Sequence, residues 1–195
     1  MENEANKNVT EIAIAAVDCG LALLAFPPLA SITFKGVETV NSFRDGIFID
    51  NMHAFLSSAN KLTSKESEAF LHRLAADRKD FYKKLIGVID RMHDEQKSKM
   101  IGNLFVHLVR NDLSVRTFNN LCFQIERVFA DNFEVLKVYT QQPLTFQSSN
   151  PSAEQNLLSS GFLQEKSRTI AHGINPIKYE VSELGHILVR FAFDD

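Results

Sequence analysis

Asp90, His93, Asp94 and Glu95 form the densest cluster of proton-active side chains in this sequence. A histidine beside carboxylates can shuttle a proton or ligate a metal, because imidazole titrates near neutrality and a carboxylate can orient it. Here no second ligand set lies at metal spacing, and the same doublet suits a solvated junction between two helices. His107 falls in an apolar stripe, while His53, His72, His172 and His186 share no spacing. Cys19 and Cys122 lack partners at metal-ligand or redox spacing, so both read as small buried hydrophobes. Phosphate-cradling glycine loops, HExxH, GxSxG and paired CxxC motifs are all missing. The sequence therefore predicts no catalytic residue, no metal site and no cofactor. A hydrolase centred on His93 is the enzymatic reading that opposes this one.

Charge offers a second kind of chemistry. The net charge is −3 over 195 residues, yet residues 61–110 carry 11 Lys and Arg against 7 Asp and Glu. Within that stretch Arg78, Lys79, Lys83 and Lys84 are candidates for contact with phosphates of nucleic acid or anionic lipid. Interleaved Asp77, Asp80, Asp90, Asp94 and Glu95 dilute the field, which suits a solvated helix face.

The elements that carry these residues are helical by pattern. With 45% hydrophobic and 23% charged residues, and 16 Phe without any Trp, the chain has the composition of a globular protein with a real core. So many Phe residues need cover, which a large core or a homo-oligomer would supply. Apolar residues from Val40 to Leu56 recur at steps of three and four. Thr63 and Glu66 have capping-box spacing and open a helix that offers Phe70, Leu71 and Leu74 to the core. Phe81, Leu85, Val88, Ile89 and Met92 make the next stripe. Asp94 and Glu95 then precede Met100 to Val109, suiting the positive end of a helix dipole. Asn111 to Ser114 supplies turn and N-cap chemistry, and Phe118, Leu121, Cys122, Ile125, Val128 and Phe129 continue as one stripe to about Tyr139.

The two ends differ from this body. Residues 1–11 are a polar, acidic tail, unlike the basic start of a secretory signal. Ile12 to Phe34, within an apolar segment 12–36, is broken by Asp18, Gly20 and Pro27-Pro28 and is a poor fit to a simple spanning helix, which needs about 20 apolar residues. Two readings stand: a buried helix and turn, or a membrane-active element. In the second, Ile12, Val17, Leu21, Leu23, Leu24, Phe26 and Phe34 would be the contacts with membrane or partner. Cysteine usage suits a reducing cytoplasm, and membrane contact would place the protein at the inner face of the membrane.

Residues 141–152 are polar with two prolines and read as a linker between a helical domain, 12–140, and a compact unit, 153–195. In that unit Ala153 to Ser159 suits a short helix, Gly161 its C-cap, Phe162-Leu163 and Ile177 to Val181 two strands, and Ser182 the cap of a last helix. The fold class predicted is mainly α, a helical body with a small winged-helix-like α+β unit containing a two-stranded hairpin. Winged units often read DNA, but the helix before this hairpin has no Lys or Arg and the unit holds 4 basic against 6 acidic residues. A protein partner is the better match to that charge.

The pattern Asn156-Leu157-Leu158-Ser159-Ser160-Gly161-Phe162-Leu163, a gap, then Tyr179 to Gly185, resembles the ending of the abortive-infection alpha proteins of bacteria. Ile89-Asp90-Arg91 through Gly102-Asn103-Leu104-Phe105 is similar to helices of uncharacterised prophage and mobile-element proteins. The resemblance spans about a third of the chain and implies a non-enzymatic interaction protein of bacterial or prophage origin, acting in antiviral defence by abortive infection or in its regulation. It brings no functional residue with it. The alternative is a nucleic-acid-binding regulator using the winged unit or the basic segment 73–99.

Overall fold

Apolar side chains at steps of three and four put one sticky stripe on each helix, and burial of those stripes organises the chain. The computed structural model describes residues 42–74, 77–141, 150–166 and 179–193. Along these run α1 (Ser42–Ala59), α2 (Ser64–Leu74), α3 (Arg78–Asp90), α4 (Glu95–Val109), α5 (Val115–Arg127), α6 (Asn132–Gln141) and α7 (Pro151–Ser159). Then come strands β1 (Leu163–Glu165) and β2 (Tyr179–Val181) and the last helix, α8 (Glu183–Ala192). The fold is mainly helical, with one small antiparallel hairpin near the carboxy terminus. Residues 1–41 are not among those described, so the apolar segment and its contacts Ile12, Val17, Leu21, Leu23, Leu24, Phe26 and Phe34 lie outside them.

Local chemistry sets the helix ends. Thr63 and Glu66 form the expected capping box. The Thr63 N–H and hydroxyl both donate to Glu66 Oε2 at 2.7 Å, and Glu66 N–H donates to Thr63 Oγ1 at 3.3 Å. Arg110, from beyond the end of α4, adds Nε to Glu66 Oε1 at 2.8 Å. The Thr63 donors foremost, then Arg110, hold the Glu66 carboxyl down at about 2 against an ordinary 4.5. A depressed folded-state value means that this stabilisation is full above the unfolded value and is lost as pH falls from about 4.5 toward 2. Glu66→Gln should therefore cost about 1 kcal/mol at pH 7. In urea unfolding the gap from wild type should narrow as the pH is taken down through that window; a gap independent of pH would contradict the assignment.

Two helices end in the same way. At the end of α4, Asn111 adopts φ 69°, its N–H donates to Leu108 O at 3.1 Å, and Asp112 N–H donates to His107 O at 2.9 Å. At the end of α7, Gly161 adopts φ 77°, with Gly161 N–H on Leu158 O at 3.0 Å and Phe162 N–H on Leu157 O at 2.9 Å. Both are Schellman motifs, which need a residue tolerant of the left-handed region. An apolar contact usually joins the two ends of this motif. Leu157 and Phe162, both fully buried, occupy those positions on α7, whereas on α4 they are His107 and Asp112, bonded at 2.8 Å.

Packing divides the chain into two compact units between Phe118 and Asn119, inside α5. In the first, α1 lies along α4 and also touches α3, while α2 packs on α4. Asn51, buried on α1, donates Nδ2 to Met92 O at 2.6 Å, just past the end of α3, and lies 3.5 Å from the Ile89 carbonyl oxygen in its last turn. Gly102 allows α1 and α4 to approach: a Cβ there would meet the Phe55 carbonyl oxygen and lie 2.8 Å from Ser58 Cβ. Around this crossing sits an aromatic core in which the Phe105 ring lies 5.5 Å from Phe55, 5.8 Å from Phe70 and 6.3 Å from Phe118.

In the second unit, α6 packs on α7, α8 and β2, and α7 on β1. The hairpin pairs Leu163 with Val181 and Glu165 with Tyr179. Phe133 anchors this unit, its ring 6.1 Å from Phe162 and 6.2 Å from Phe193. Ser182 caps α8, accepting from Gly185 N–H at 3.0 Å and donating to Gly161 O at 2.5 Å. Gly185 has no room for a side chain, since a Cβ would meet Phe162 O and lie 2.7 Å from Val181 Cγ1.

Three sequence expectations shift here. The stripe from Phe118 is not one helix to Tyr139, because α5 ends at Arg127 and α6 begins at Asn132. Asn150 and Pro151, read as linker, are the N-cap and first residue of α7: Asn150 Oδ1 accepts from Ala153 N–H at 3.1 Å, and Pro151 loses no helical hydrogen bond there. Residues 119–140, read with the helical body, pack with the carboxy-terminal unit, since α6 rests on α7 and α8. The rest of the expected linker, 142–149, and the span 167–178 between the strands lie outside the described residues.

Candidate interaction surface

The cluster that first suggested chemistry sits at the α3–α4 junction. Asp94 is the N-cap of α4, its carboxylate accepting from Gln96 N–H at 2.8 Å; Glu95 follows in the first turn, and His93 is exposed between the helices. Among the described residues, no three His, Cys, Asp or Glu side chains are grouped so that they could hold a metal ion. His107 serves the Schellman turn described above. Cys122 is wholly buried, and burial pushes its thiol well above the ordinary range, which leaves an unreactive packing residue. His53, His72 and His186 are exposed.

The basic residues serve the fold in part. Arg73 donates Nη2 to Val109 O at 2.5 Å, capping the carbonyl end of α4. Lys84 pairs with Asp80 at 2.6 Å one turn away, and that pairing, by hydrogen bond and then by charge, lowers the Asp80 carboxyl from its usual value. Lys83 is exposed. Arg78 and Lys79 lie in the first turn of α3, and their side chains are outside the description.

A different set of residues stands out, at the α5–α6 turn. Phe118, Leu121, Cys122 and Ile125 take up the buried face of α5. Phe123 is therefore turned outward, 53% exposed, with the Arg127 guanidinium 5.3 Å from its ring centre. The chain then breaks, and Phe129 points into solvent, 74% exposed. An isolated exposed aromatic is unremarkable in itself. What distinguishes Phe129 is that its turn is tied down. Asn156 on α7 accepts from Phe129 N–H at 3.2 Å and from Asn132 Nδ2 at 2.8 Å, and donates its own Nδ2 to Arg127 O at 3.4 Å. One side chain thus satisfies the polar groups on both sides of Phe129 and holds the ring outside the core. Asn156→Ala should cost about 1 kcal/mol, the net worth of hydrogen bonds that water can in part replace. Its signature should be faster hydrogen exchange at the Phe129 and Asn132 amides, with the amides of α1 unchanged.

The same bonds bear on nucleic acid. Tyr139 donates its hydroxyl to Glu154, and burial with that neighbour drives the phenol well above its usual value. Glu154 and Asn156, on the helix before the hairpin, are thus engaged within the unit, and that helix carries no Lys or Arg. Its exposed positions are Pro151, Ser152, Gln155 and Ser159, a poor set for neutralising phosphates.

Sequence reasoning placed Phe129 in the buried stripe, because it continues the spacing from Ile125 and Val128. The signal against that placement is Asp131-Asn132, residues suited to turns and helix starts. Phe123 is off the stripe and legible as an outward residue.

Comparison with known proteins finds no matching family model, no matching curated protein and no matching solved structure.

Proposed function

We propose that this chain acts by binding a protein partner, not by catalysis, and that the Phe123–Arg127–Phe129 surface is where the partner sits. The observation that carries the reading is Phe129, an aromatic ring 74% exposed in a turn secured by Asn156. Rigid aromatic and Arg side chains dominate binding energy at protein interfaces, because they bury much area for little lost entropy. Either a second copy of the chain or another protein fits this description, and sedimentation of the purified full chain separates the two.

Phage defence is the setting implied by the resemblance to the abortive-infection alpha proteins. Its test is plating of phage on bacteria expressing the full chain. Wild type should reduce plaque number, and Phe129→Asp, folded as judged by circular dichroism, should restore it. Unreduced plaques with wild type would remove the defence setting. Protection retained by Phe129→Asp would instead remove the surface.

Membrane association through Ile12 to Phe34 belongs to the same proposal. No helix among the described residues is long and apolar enough to cross a membrane, so contact with lipid would have to come from that segment or from another surface. Liposome flotation should recover the full chain and lose it when residues 1–36 are deleted; a full chain that never floats would exclude this element.

A further inference from the structure

We draw no further inference here: the strongest candidate, the exposed apolar patch of Phe123 and Phe129 at the α5–α6 turn, belongs to the surface already described, and nothing in the structure shows which partner covers it.

Discussion

Phe105→Ala is expected to remove about 4 kcal/mol of stability, a large fraction of the roughly 5–15 kcal/mol that holds an ordinary domain folded. Phe105 is 1% exposed and its ring neighbours include Phe55 on α1, Phe70 on α2, Phe81 on α3 and Phe118 on α5. Truncation would leave a hole bordered by side chains from several helices, and a hole with that many walls collapses poorly. Part of the loss is ring against ring, since edge-to-face pairs such as Phe105 with Phe70, inclined at 88°, add to simple burial. Phe105→Leu keeps most of the volume and should cost roughly 1–2 kcal/mol. Urea unfolding followed by far-ultraviolet circular dichroism measures both. Equal losses for the two variants would show that volume at this position does not matter.

The second large effect concerns a residue with no side chain. Gly102→Val should cost about 3 kcal/mol, despite being a change to a more hydrophobic residue in a buried helix. The cost is steric: the new Cβ has no room between the Phe55 carbonyl oxygen and Ser58 Cβ, so α1 and α4 must move apart along their shared face. Two other helical glycines provide the contrast. A Cβ at Gly46 meets nothing within 4 Å, and one at Gly87 only Arg91 Nη1 at 3.5 Å. Alanine at either should raise stability by up to about 1 kcal/mol, the usual gain in helix propensity. Thermal melts of the three variants should thus move in opposite directions. A Gly102→Val protein as stable as wild type would mean that the two helices are not held at this distance.

The features legible in the sequence are those that close within a few residues. Thr63 with Glu66, Ser182 with Gly185 and Gly161 after α7 each satisfy backbone groups three to five positions away, and residue type plus spacing is enough to find them. Periodicity located the buried faces of α3, α4 and α5 for the same reason. Features that depend on a distant partner were not legible. Arg110 completes the α2 cap from 44 positions away, Arg73 caps α4 from 36 away, and neither is marked by its neighbours in the chain. The division between Phe118 and Asn119 falls inside a helix with no polar run to announce it, whereas the polar stretch near residue 150 in part begins a helix. Polarity reports contact with water, not which core a helix joins. Of the candidate surface, the sequence reading singled out neither ring. Phe123 lies off the stripe, so spacing alone could have marked it; Phe129 could not be marked in that way, because Asn156, the residue that holds its turn outward, lies 27 positions further on.

The central claim is tested most directly by placing a photo-reactive phenylalanine analogue at position 129 of the full chain in living bacteria, with Glu68 on α2, also exposed, as the control position. Illumination should give one discrete adduct from position 129, weakened by Phe123→Ser and missing from position 68, and its mass will say whether the partner is a second copy. Equal adducts from both positions, or none from position 129, would contradict a partner surface at the α5–α6 turn.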